Sequence, residues 1–272
     1  MRLALIQTNP QLGAVQSNID RANNLLSQLP QHQLDLIILP ELAFSGYNFT
    51  SAKHILPYVE TSSLSPSRDW AKRVAEEFKA KVLLGLPTQD GDRHNTASLI
   101  DESGEVLHEY HKHHMFDTDY RWGCTSGPGF SYFPLTCKNA LSTGAIRTTI
   151  GICMDLNPWE FIAPPSAYEF ATYIIQNDIS LVLIPMAWLL PAEYDDQHSG
   201  VSESTLQYWI KRLYPLVEDA RIRIVVICNR TGREEGATYA GTSCVLRIGA
   251  GEVTVLGVLG RMEGVLSLDV EV

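Results

Sequence analysis

The chain has 272 residues, of which 45% are hydrophobic and 19% are charged, and its 31 Asp+Glu against 21 Lys+Arg give a net charge of -10. This composition excludes a disordered chain, because there is enough apolar surface to form a packed core. The acidic balance and the lack of a basic block argue against nucleic acid or an anionic membrane surface as a partner.

Short apolar runs rich in Ile, Leu and Val recur along the chain and predict strands that are buried on both faces of a sheet. They cover residues 3–6, 34–39, 81–86, 148–152, 181–184 and 222–228. Amphipathic segments of helical length lie between them, at residues 18–29, 69–78, 167–177 and 202–220. The first helix is expected to begin at a capping box formed by Ser17 and Asp20, and the last is interrupted by Pro215.

Two pairs of strands separated by turns predict hairpins at residues 97–110 and 242–256, and the alternating segment 265–272 predicts a final strand. The alternation of strands and helices predicts an α/β fold, while the hairpins disfavour an all-parallel sheet. No linker or change in composition divides the chain. We therefore expect one domain over residues 1–272.

The cysteines and the apolar segments predict a cytoplasmic protein. The five cysteines include no CxxC pair, which disfavours a disulfide framework or a zinc site. The first residues do not combine a charged stretch with a long apolar one, so no signal peptide is expected. The most apolar stretch, residues 181–192, is too short to cross a bilayer.

Cys153 is the cysteine whose position best suits catalysis. It ends the apolar strand TTIGIC and begins a turn that leads towards a helix. Ligand sites in α/β proteins form at the carboxyl ends of strands, and a nearby helix N-terminus favours a thiolate. The alternative is an inert buried cysteine, which is the common state of a free cysteine.

Glu41 and Lys112 also lie at the ends of predicted strands, Glu41 after DLIILP and Lys112 at the end of VLHEYHK. A desolvated carboxylate beside a thiol can act as a general base, and a cation can stabilise a developing oxyanion. Individually, a turn-stabilising glutamate and a solvated surface lysine are the simpler interpretations. Together with Cys153 they supply the base, cation and nucleophile that an amide-cleaving thiol enzyme needs.

Four neighbouring histidines, His108, His111, His113 and His114, raise the alternative of a metal site. On a strand they divide between two faces, and no cysteine or carboxylate at ligand spacing completes a set. We therefore expect solvated histidines at a strand end and no bound metal. The chain also lacks GxGxxG and P-loop motifs, so no nucleotide cofactor is expected.

Three segments, taken in chain order, resemble the signature motifs of the nitrilase superfamily. They are LPELAFSGY around Glu41, YHK ending at Lys112 and IGICMD around Cys153. The resemblance extends over essentially the whole chain. It implies an α-β-β-α sandwich and the hydrolysis of non-peptide C–N bonds by catalytic Glu41, Lys112 and Cys153, without a metal or organic cofactor.

Within the superfamily, the segments QTNPQLG, FDTDYRWGC and GICMDLNPWEFIAP most resemble the fungal enzymes that deamidate an N-terminal Asn or Gln. This resemblance implies that the partner is a peptide or protein N-terminus bearing Asn or Gln. Deamidation would yield Asp or Glu and ammonia, and would feed an N-degron pathway. The oligomeric state stays open.

Two positions depart from the superfamily pattern. Many members carry a second glutamate between the Lys and Cys motifs, but here the nearby acids are Asp117 and Asp119. Asn157 stands where many amidases have an arginine, four residues after the nucleophile. We interpret the loss of a cation there as suited to a substrate that bears an ammonium.

An N-terminal residue has a free α-ammonium, so the site is expected to present a carboxylate or several acceptors to it. The candidates for ammonium binding are Asp155, Asp119 and Glu235, and the candidate walls of the pocket are Trp188 and Trp122. For Asp155 the alternative is a carboxylate that orients the turn after the nucleophile.

Two other functions stay open from the sequence. An amidase for a small free amide or ω-amido acid needs a cation for the substrate carboxylate, and Arg121 is available. A non-catalytic binding protein of the same fold is the other alternative. The intact set of Glu41, Lys112 and Cys153 disfavours this alternative, because a binding protein does not need those residues.

Overall fold

The computed structural model describes residues 1–137, 144–191 and 199–272, and these ranges contain fourteen β-strands. In chain order the strands are β1 (Arg2–Gln7), β2 (Leu36–Ile38), β3 (Lys81–Asp90), β4 (Asp92–Ile100), β5 (Val106–His111), β6 (Tyr132–Leu135), β7 (Ile146–Ile150), β8 (Leu181–Met186), β9 (Arg223–Asn229), β10 (Thr231–Glu234), β11 (Ala237–Ala240), β12 (Cys244–Gly249), β13 (Glu252–Val258) and β14 (Gly264–Asp269).

The same ranges contain seven α-helices and four short 3₁₀ helices. The α-helices are α1 (Val15–Leu26), α2 (Ala52–Ile55), α3 (Pro66–Phe78), α4 (Asp117–Arg121), α5 (Glu169–Gln176), α6 (Glu203–Arg212) and α7 (Tyr214–Glu218). The 3₁₀ helices are Leu56–Tyr58, Cys153–Leu156, Trp159–Phe161 and Pro165–Ala167. None of the helices in the described part of the chain has the length and apolar character to span a membrane.

The strands form two six-stranded sheets and a separate two-stranded ribbon of β10 and β11. The first sheet has the order β14-β1-β2-β3-β4-β5, and the second has the order β13-β12-β9-β8-β7-β6. In each sheet three adjacent strands run parallel, β1-β2-β3 and β7-β8-β9. Antiparallel strands extend both sheets on either side, as the predicted hairpins require.

The two sheets pack face to face, and helices cover both outer surfaces. Leu3 and Leu5 of β1 belong to the same buried cluster as Val226 of β9 in the second sheet. Ala4 and Ile6, on the opposite face of β1, belong to a second cluster with residues of α1 and α3, because successive strand residues face opposite sides. Residues of α5, α6 and α7 pack on the second sheet. The predicted α-β-β-α sandwich is therefore confirmed.

The start of the first helix differs from the prediction. α1 begins at Val15 after Ala14, and no side chain caps it, so the expected capping box at Ser17 is wrong. The helix is tied down by Asn18 instead. Its amide oxygen accepts from the N–H of Gln11, and its amide nitrogen donates to backbone carbonyls of Gln11 and Phe44.

Candidate active site

Four segments that follow strands come together where the two sheets face each other. Glu41 follows β2 and Lys112 follows β5 in the first sheet, while Cys153 follows β7 and Ala187 follows β8 in the second. Apolar, buried strands precede Glu41, Cys153 and Ala187, while Lys112 follows the half-exposed edge strand β5. Face-to-face packing of the sheets then brings the carboxylate, the ammonium and the thiol together.

Glu41 is fully buried, and its two carboxylate oxygens have different partners. Oε1 accepts hydrogen bonds from Lys112 Nζ at 2.7 Å and from Asn95 Nδ2 at 2.7 Å. Oε2 accepts from the N–H of Ala187 at 2.8 Å. The carboxylate also lies close enough to the Cys153 thiol to raise its pKa. These bonds hold the carboxylate in one orientation beside the sulfur.

Lys112 is fully buried between two carboxylates. Nζ donates to Glu41 Oε1 at 2.7 Å and to Asp119 Oδ2 at 2.7 Å. Asp119 also accepts from the Phe116 N–H at 2.9 Å and from Asn95 Nδ2 at 3.1 Å. Of Asp117 and Asp119, the two acids noted in the sequence, Asp119 is therefore the one that lies beside Lys112.

The predicted contact of Asp119 with a substrate ammonium does not fit this geometry. Its carboxylate is 0% exposed and engaged by three donors of the protein itself. A buried carboxylate with satisfied hydrogen bonds has no free face for a ligand. The arrangement favours a role in which Asp119 positions Lys112.

Cys153 begins the 3₁₀ helix Cys153–Leu156 in a left-handed backbone conformation, with φ of 44°. A residue with a Cβ adopts this conformation only where its surroundings hold it there. The sharp turn projects the thiol from the end of the strand towards Glu41. Such a strained turn is a common feature of functional sites.

Asp155 provides much of the structure that holds this turn. Its fully buried carboxylate accepts four hydrogen bonds, from the N–H groups of Ile152 (2.7 Å), His113 (3.1 Å) and His114 (2.7 Å) and from the Tyr110 hydroxyl (2.9 Å). These donors saturate both oxygens. The predicted role of Asp155 in ammonium binding therefore gives way to the alternative, which is orientation of the turn after Cys153.

The electrostatics of the cluster favour a protonated thiol and a basic carboxylate at rest. Burial raises the pKa of the Cys153 thiol well above its usual value, the Glu41 carboxylate raises it further, and Lys112 opposes this rise. Burial also raises the pKa of Glu41, against the influence of Lys112. Burial lowers the pKa of Lys112, but Asp119 and Glu41 outweigh it, so the pKa is raised and the lysine stays charged. A glutamate of raised pKa is a better base for a thiol proton.

Cys153 opens into a cavity of ≈ 190 Å³. Most of the lining is apolar or aromatic; the lining residues are Tyr47, Phe116, Cys153, Met154, Asn157, Phe161, Ala187, Trp188 and Leu189. Trp188 thus lies where a wall residue was predicted. Asn157, which the sequence marked as a departure from the superfamily pattern, also faces this space.

Three other residues named from the sequence do not line the cavity. Trp122 is fully buried in the apolar cluster that also contains the lining residues Tyr47 and Ala187, so it packs behind the wall. Glu235 is exposed in the turn between β10 and β11. Arg121 is exposed on α4, and its guanidinium pairs with Asp117 at 2.8 Å. None of these side chains belongs to the lining of the cavity that Cys153 opens into.

Sequence reasoning missed two groups that organise the site. Asn95, in the middle of a strand, links Glu41 to Asp119 through one amide nitrogen. Glu234, next to the predicted Glu235, accepts from the N–H groups of Tyr47 and Asn48 and so fixes a loop that lines the cavity. Glu234 ends β10 and Glu235 lies in the turn after it, so no local pattern in the sequence distinguished the two.

The neighbouring histidines have contacts within the protein. His108 stacks on Phe133 with ring centroids 4.1 Å apart, and His114 Nδ1 lies 3.0 Å from the Asn157 carbonyl oxygen. In residues 1–137, 144–191 and 199–272, no three His, Cys, Asp or Glu side chains are grouped as they would be around a metal ion.

Comparison with known proteins identifies the family. The profile of the carbon-nitrogen hydrolase family matches residues 2–249. A protein N-terminal amidase of Schizosaccharomyces pombe is 33% identical, over 97% of this chain and 96% of that protein. Another, of Saccharomyces cerevisiae, is 30% identical over 93% of this chain, which spans 55% of that protein. A crystal structure of an N-terminal amidase with an Asn-Glu-Ala peptide superposes with a TM-score of 0.90 at 23% identity, covering 99% of this chain and 97% of that one, and shares the fold. The chain belongs to the carbon-nitrogen hydrolase family.

Proposed function

We propose that this protein is an amidase that hydrolyses the side-chain carboxamide of an N-terminal Asn or Gln, converting it to Asp or Glu with release of ammonia. The observation that carries the proposal is the buried cluster of Glu41, Lys112 and Cys153, which opens into a small cavity. The two yeast relatives named as protein N-terminal amidases support the choice of substrate.

The proposed reaction uses each member of the cluster in turn. Glu41 accepts the Cys153 proton while the sulfur attacks the carboxamide carbon. Lys112 and nearby backbone N–H groups stabilise the oxyanion of the tetrahedral intermediate. The C–N bond then breaks, the proton is passed to the leaving nitrogen, and ammonia departs to leave a thioester. Water activated by Glu41 hydrolyses the thioester, which regenerates the thiol and releases the side-chain acid.

The shape of the site suits an amide that is attached to a longer chain. A second cavity, of ≈ 450 Å³, shares Phe116, Met154 and Phe161 with the lining of the first. A carboxamide side chain can enter the inner cavity while the peptide continues through the outer one. We further propose that residues 1–272 act as one domain, in the cytoplasm, and that the acidic N-terminus produced feeds an N-degron pathway.

The test of the proposed nucleophile is ammonia release from an Asn-peptide by Cys153→Ser and by the matched variant Cys137→Ser. Cys137 is a partly buried cysteine with its sulfur 3.3 Å from the Met1 sulfur, remote from the cluster. We expect Cys153→Ser to lose at least roughly a thousandfold in kcat while the control keeps wild-type activity. Wild-type turnover by Cys153→Ser contradicts the assignment.

The substrate is tested with a panel of peptides that differ only in the first residue, compared with free asparagine, an ω-amido acid and a nitrile. We expect ammonia from the Asn- and Gln-peptides and much less from the small compounds. The amidase for small amides that carry a carboxylate lacks support for its candidate cation, because Arg121 does not line the cavity that Cys153 opens into and is paired with Asp117. Preferential turnover of the ω-amido acid would overturn the proposed function.

A further inference from the structure

The α-ammonium of an N-terminal residue needs acceptors near the cavity, and the acids expected to supply them are engaged elsewhere. Asp155 and Asp119 are fully buried with their oxygens bonded to groups of the protein, and Glu235 is exposed in the turn between β10 and β11 and does not line the cavity. Glu41 is held by Lys112 and is assigned to proton transfer. This inference rests on the proposed function and asks what recognises the free amine.

The polar groups that line the cavity are few. Four of its lining residues have a polar N–H, O–H, S–H or amide group in the side chain: Cys153, Tyr47, Asn157 and Trp188. The indole N–H of Trp188 can only donate. The hydroxyl oxygen of Tyr47 already accepts from Lys112 Nζ at 3.5 Å, so it is engaged by the buried cluster. Asn157 is therefore the acceptor that the lining offers to an ammonium.

The surroundings of Asn157 fix the direction of its amide. Its Nδ2 donates to the Met154 sulfur at 3.3 Å, and its Oδ1 accepts from the Tyr208 hydroxyl at 2.7 Å. An amide oxygen has two lone pairs and a phenol oxygen can accept as well as donate, so both atoms keep acceptor capacity. The hydroxyl of Tyr208 and Oδ1 of Asn157 thus form a pair of adjacent neutral acceptors.

An aromatic surface adjoins this pair. The rings of Trp188 and Tyr208 have centroids 5.6 Å apart, and Phe116 and Phe161 also line the cavity. A cation over an aromatic face is attracted by the ring, most strongly for tryptophan. The buried cluster behind the cavity adds to the attraction, because it holds two carboxylates and a single lysine.

We propose that Oδ1 of Asn157 and the hydroxyl oxygen of Tyr208, beside the ring of Trp188, bind the α-ammonium of the substrate. This subsite selects a free N-terminus with neutral acceptors and an aromatic face in place of a carboxylate. It also disfavours substrates that bring a carboxylate to the same position, because no cationic side chain belongs to the described lining.

The test pairs two substrates that differ only in the amine: an Asn-peptide, and the same peptide with succinamoyl in place of Asn, which lacks the α-amine. The variants are Asn157→Ala, Tyr208→Phe and the control Tyr214→Phe, which removes a hydroxyl from an exposed tyrosine on α7. For the amine-bearing peptide we expect kcat/KM to fall roughly ten- to hundredfold in Asn157→Ala and roughly three- to tenfold in Tyr208→Phe. Most of the loss should appear in KM, and the des-amino peptide should change little.

The comparison of the two substrates separates binding from folding. An equal loss on both peptides in Asn157→Ala and in Tyr208→Phe indicates a structural role and overturns the inference, as does no loss on either. In addition, Asn157→Arg should lower turnover of the amine-bearing peptide and raise that of an ω-amido acid. If the wild-type protein releases no ammonia from any N-terminal Asn or Gln peptide, the proposed function fails. If the wild-type protein does release ammonia from these peptides, but the variants lose kcat/KM equally on the amine-bearing and the des-amino peptide, the inference alone fails.

Discussion

Replacing Asp119 by asparagine tests the buried cluster most directly. In the native cluster Oδ2 accepts from Lys112 and from the Phe116 N–H, and Oδ1 accepts from Asn95 Nδ2. Asparagine has an NH₂ group in place of one oxygen, so on one side a donor faces a donor. Asn95 cannot turn its amide over without losing its bond to Glu41. The substitution therefore removes a charge and leaves a hydrogen-bond conflict.

The structure sets the size of the effect. At the 2.7 Å between Lys112 Nζ and Asp119 Oδ2, and with an effective dielectric constant of about 20, the lost attraction is about 6 kcal/mol. One Asn95 nitrogen bonds both carboxylates, so their oxygens lie within about 6 Å, and the relieved repulsion is about 3 kcal/mol. The net cost of about 3 kcal/mol agrees with the roughly 3–5 kcal/mol lost when one partner of a buried ion pair is removed.

The substitution also changes the pH dependence of catalysis in a defined direction. Burial, and after it the charges of Asp119 and Glu41, set the pKa of Lys112, and Asp119 contributes to the raised pKa of Glu41. Loss of the Asp119 charge therefore lowers the pKa of both groups. If turnover requires ionised Glu41 and charged Lys112, both the acidic and the basic limb of the kcat/KM profile move to lower pH.

Calorimetry and the rate of ammonia release from an Asn-peptide across pH measure the two effects. We expect the melting temperature of Asp119→Asn to fall by roughly 6–12 °C, with both limbs of the profile displaced towards acid. The control is Asp117→Asn, two residues away, whose carboxylate is exposed and pairs with exposed Arg121. Equal melting temperatures for the two variants, or a profile displaced towards higher pH, would refute the reasoning.

Three further outcomes are expected. A Cβ at Gly85 would lie 2.6 Å from Glu41 Cα and 2.5 Å from the nitrogen of Leu42. Gly85→Ala should therefore lower kcat for ammonia release roughly ten- to hundredfold, because Glu41 is displaced. The control Gly200→Ala should keep wild-type kcat, because a Cβ at Gly200 meets nothing within 4 Å. Asp155→Ala leaves four buried donors without an acceptor, and urea titration should show the free energy of unfolding lowered by roughly 3–5 kcal/mol. Burial raises the pKa of Glu41, so kcat/KM measured against pH should fall on acidification with a midpoint above the usual glutamate range.

Each of these expectations has a contrary result. Wild-type kcat in Gly85→Ala means that the backbone around Glu41 adjusts freely to the added methyl group. Unchanged unfolding in Asp155→Ala means that its hydrogen bonds do not hold the turn after Cys153. An acidic limb at or below the usual glutamate range means that the base is not a buried carboxylate.

Glu41 and Cys153 were predictable from the sequence because they mark the ends of buried strands, whereas Lys112 follows the edge strand β5 and was identified by its strand-end position and its YHK motif. Apolar runs before Glu41 and Cys153 fix the depth of each strand, and parallel strands end at the same edge of a sheet. The same runs and the hairpins predicted an α/β fold with antiparallel strands, and the four-layer arrangement was implied by the resemblance to the nitrilase superfamily. The start of α1 was not predictable, because it depends on bonds from Asn18 to a loop 26 residues away.

The roles of the other acids could not be read from the sequence. Whether a carboxylate faces a cavity depends on which donors surround it in three dimensions, and Asp155 meets donors from His113 and His114, some 41 or 42 residues earlier in the chain. Glu234 is a second example, because its carboxylate accepts from the N–H groups of Tyr47 and Asn48, which lie 187 and 186 residues earlier in the chain. These roles depend on tertiary contacts that a local pattern does not contain.

The absence of a free carboxylate in the described lining of the cavity is consistent with the chemistry proposed for Cys153. A further negative charge beside the thiol would raise its pKa still more and oppose formation of the thiolate during attack. The same charge would compete with Glu41 for Lys112, whose ammonium is needed at the oxyanion. Neutral acceptors such as Asn157 and Tyr208 can bind an ammonium without either effect. Different groups then bind the amine and activate the thiol. The charges of the cluster, two carboxylates and one lysine, are therefore unchanged by the residues that bind the amine.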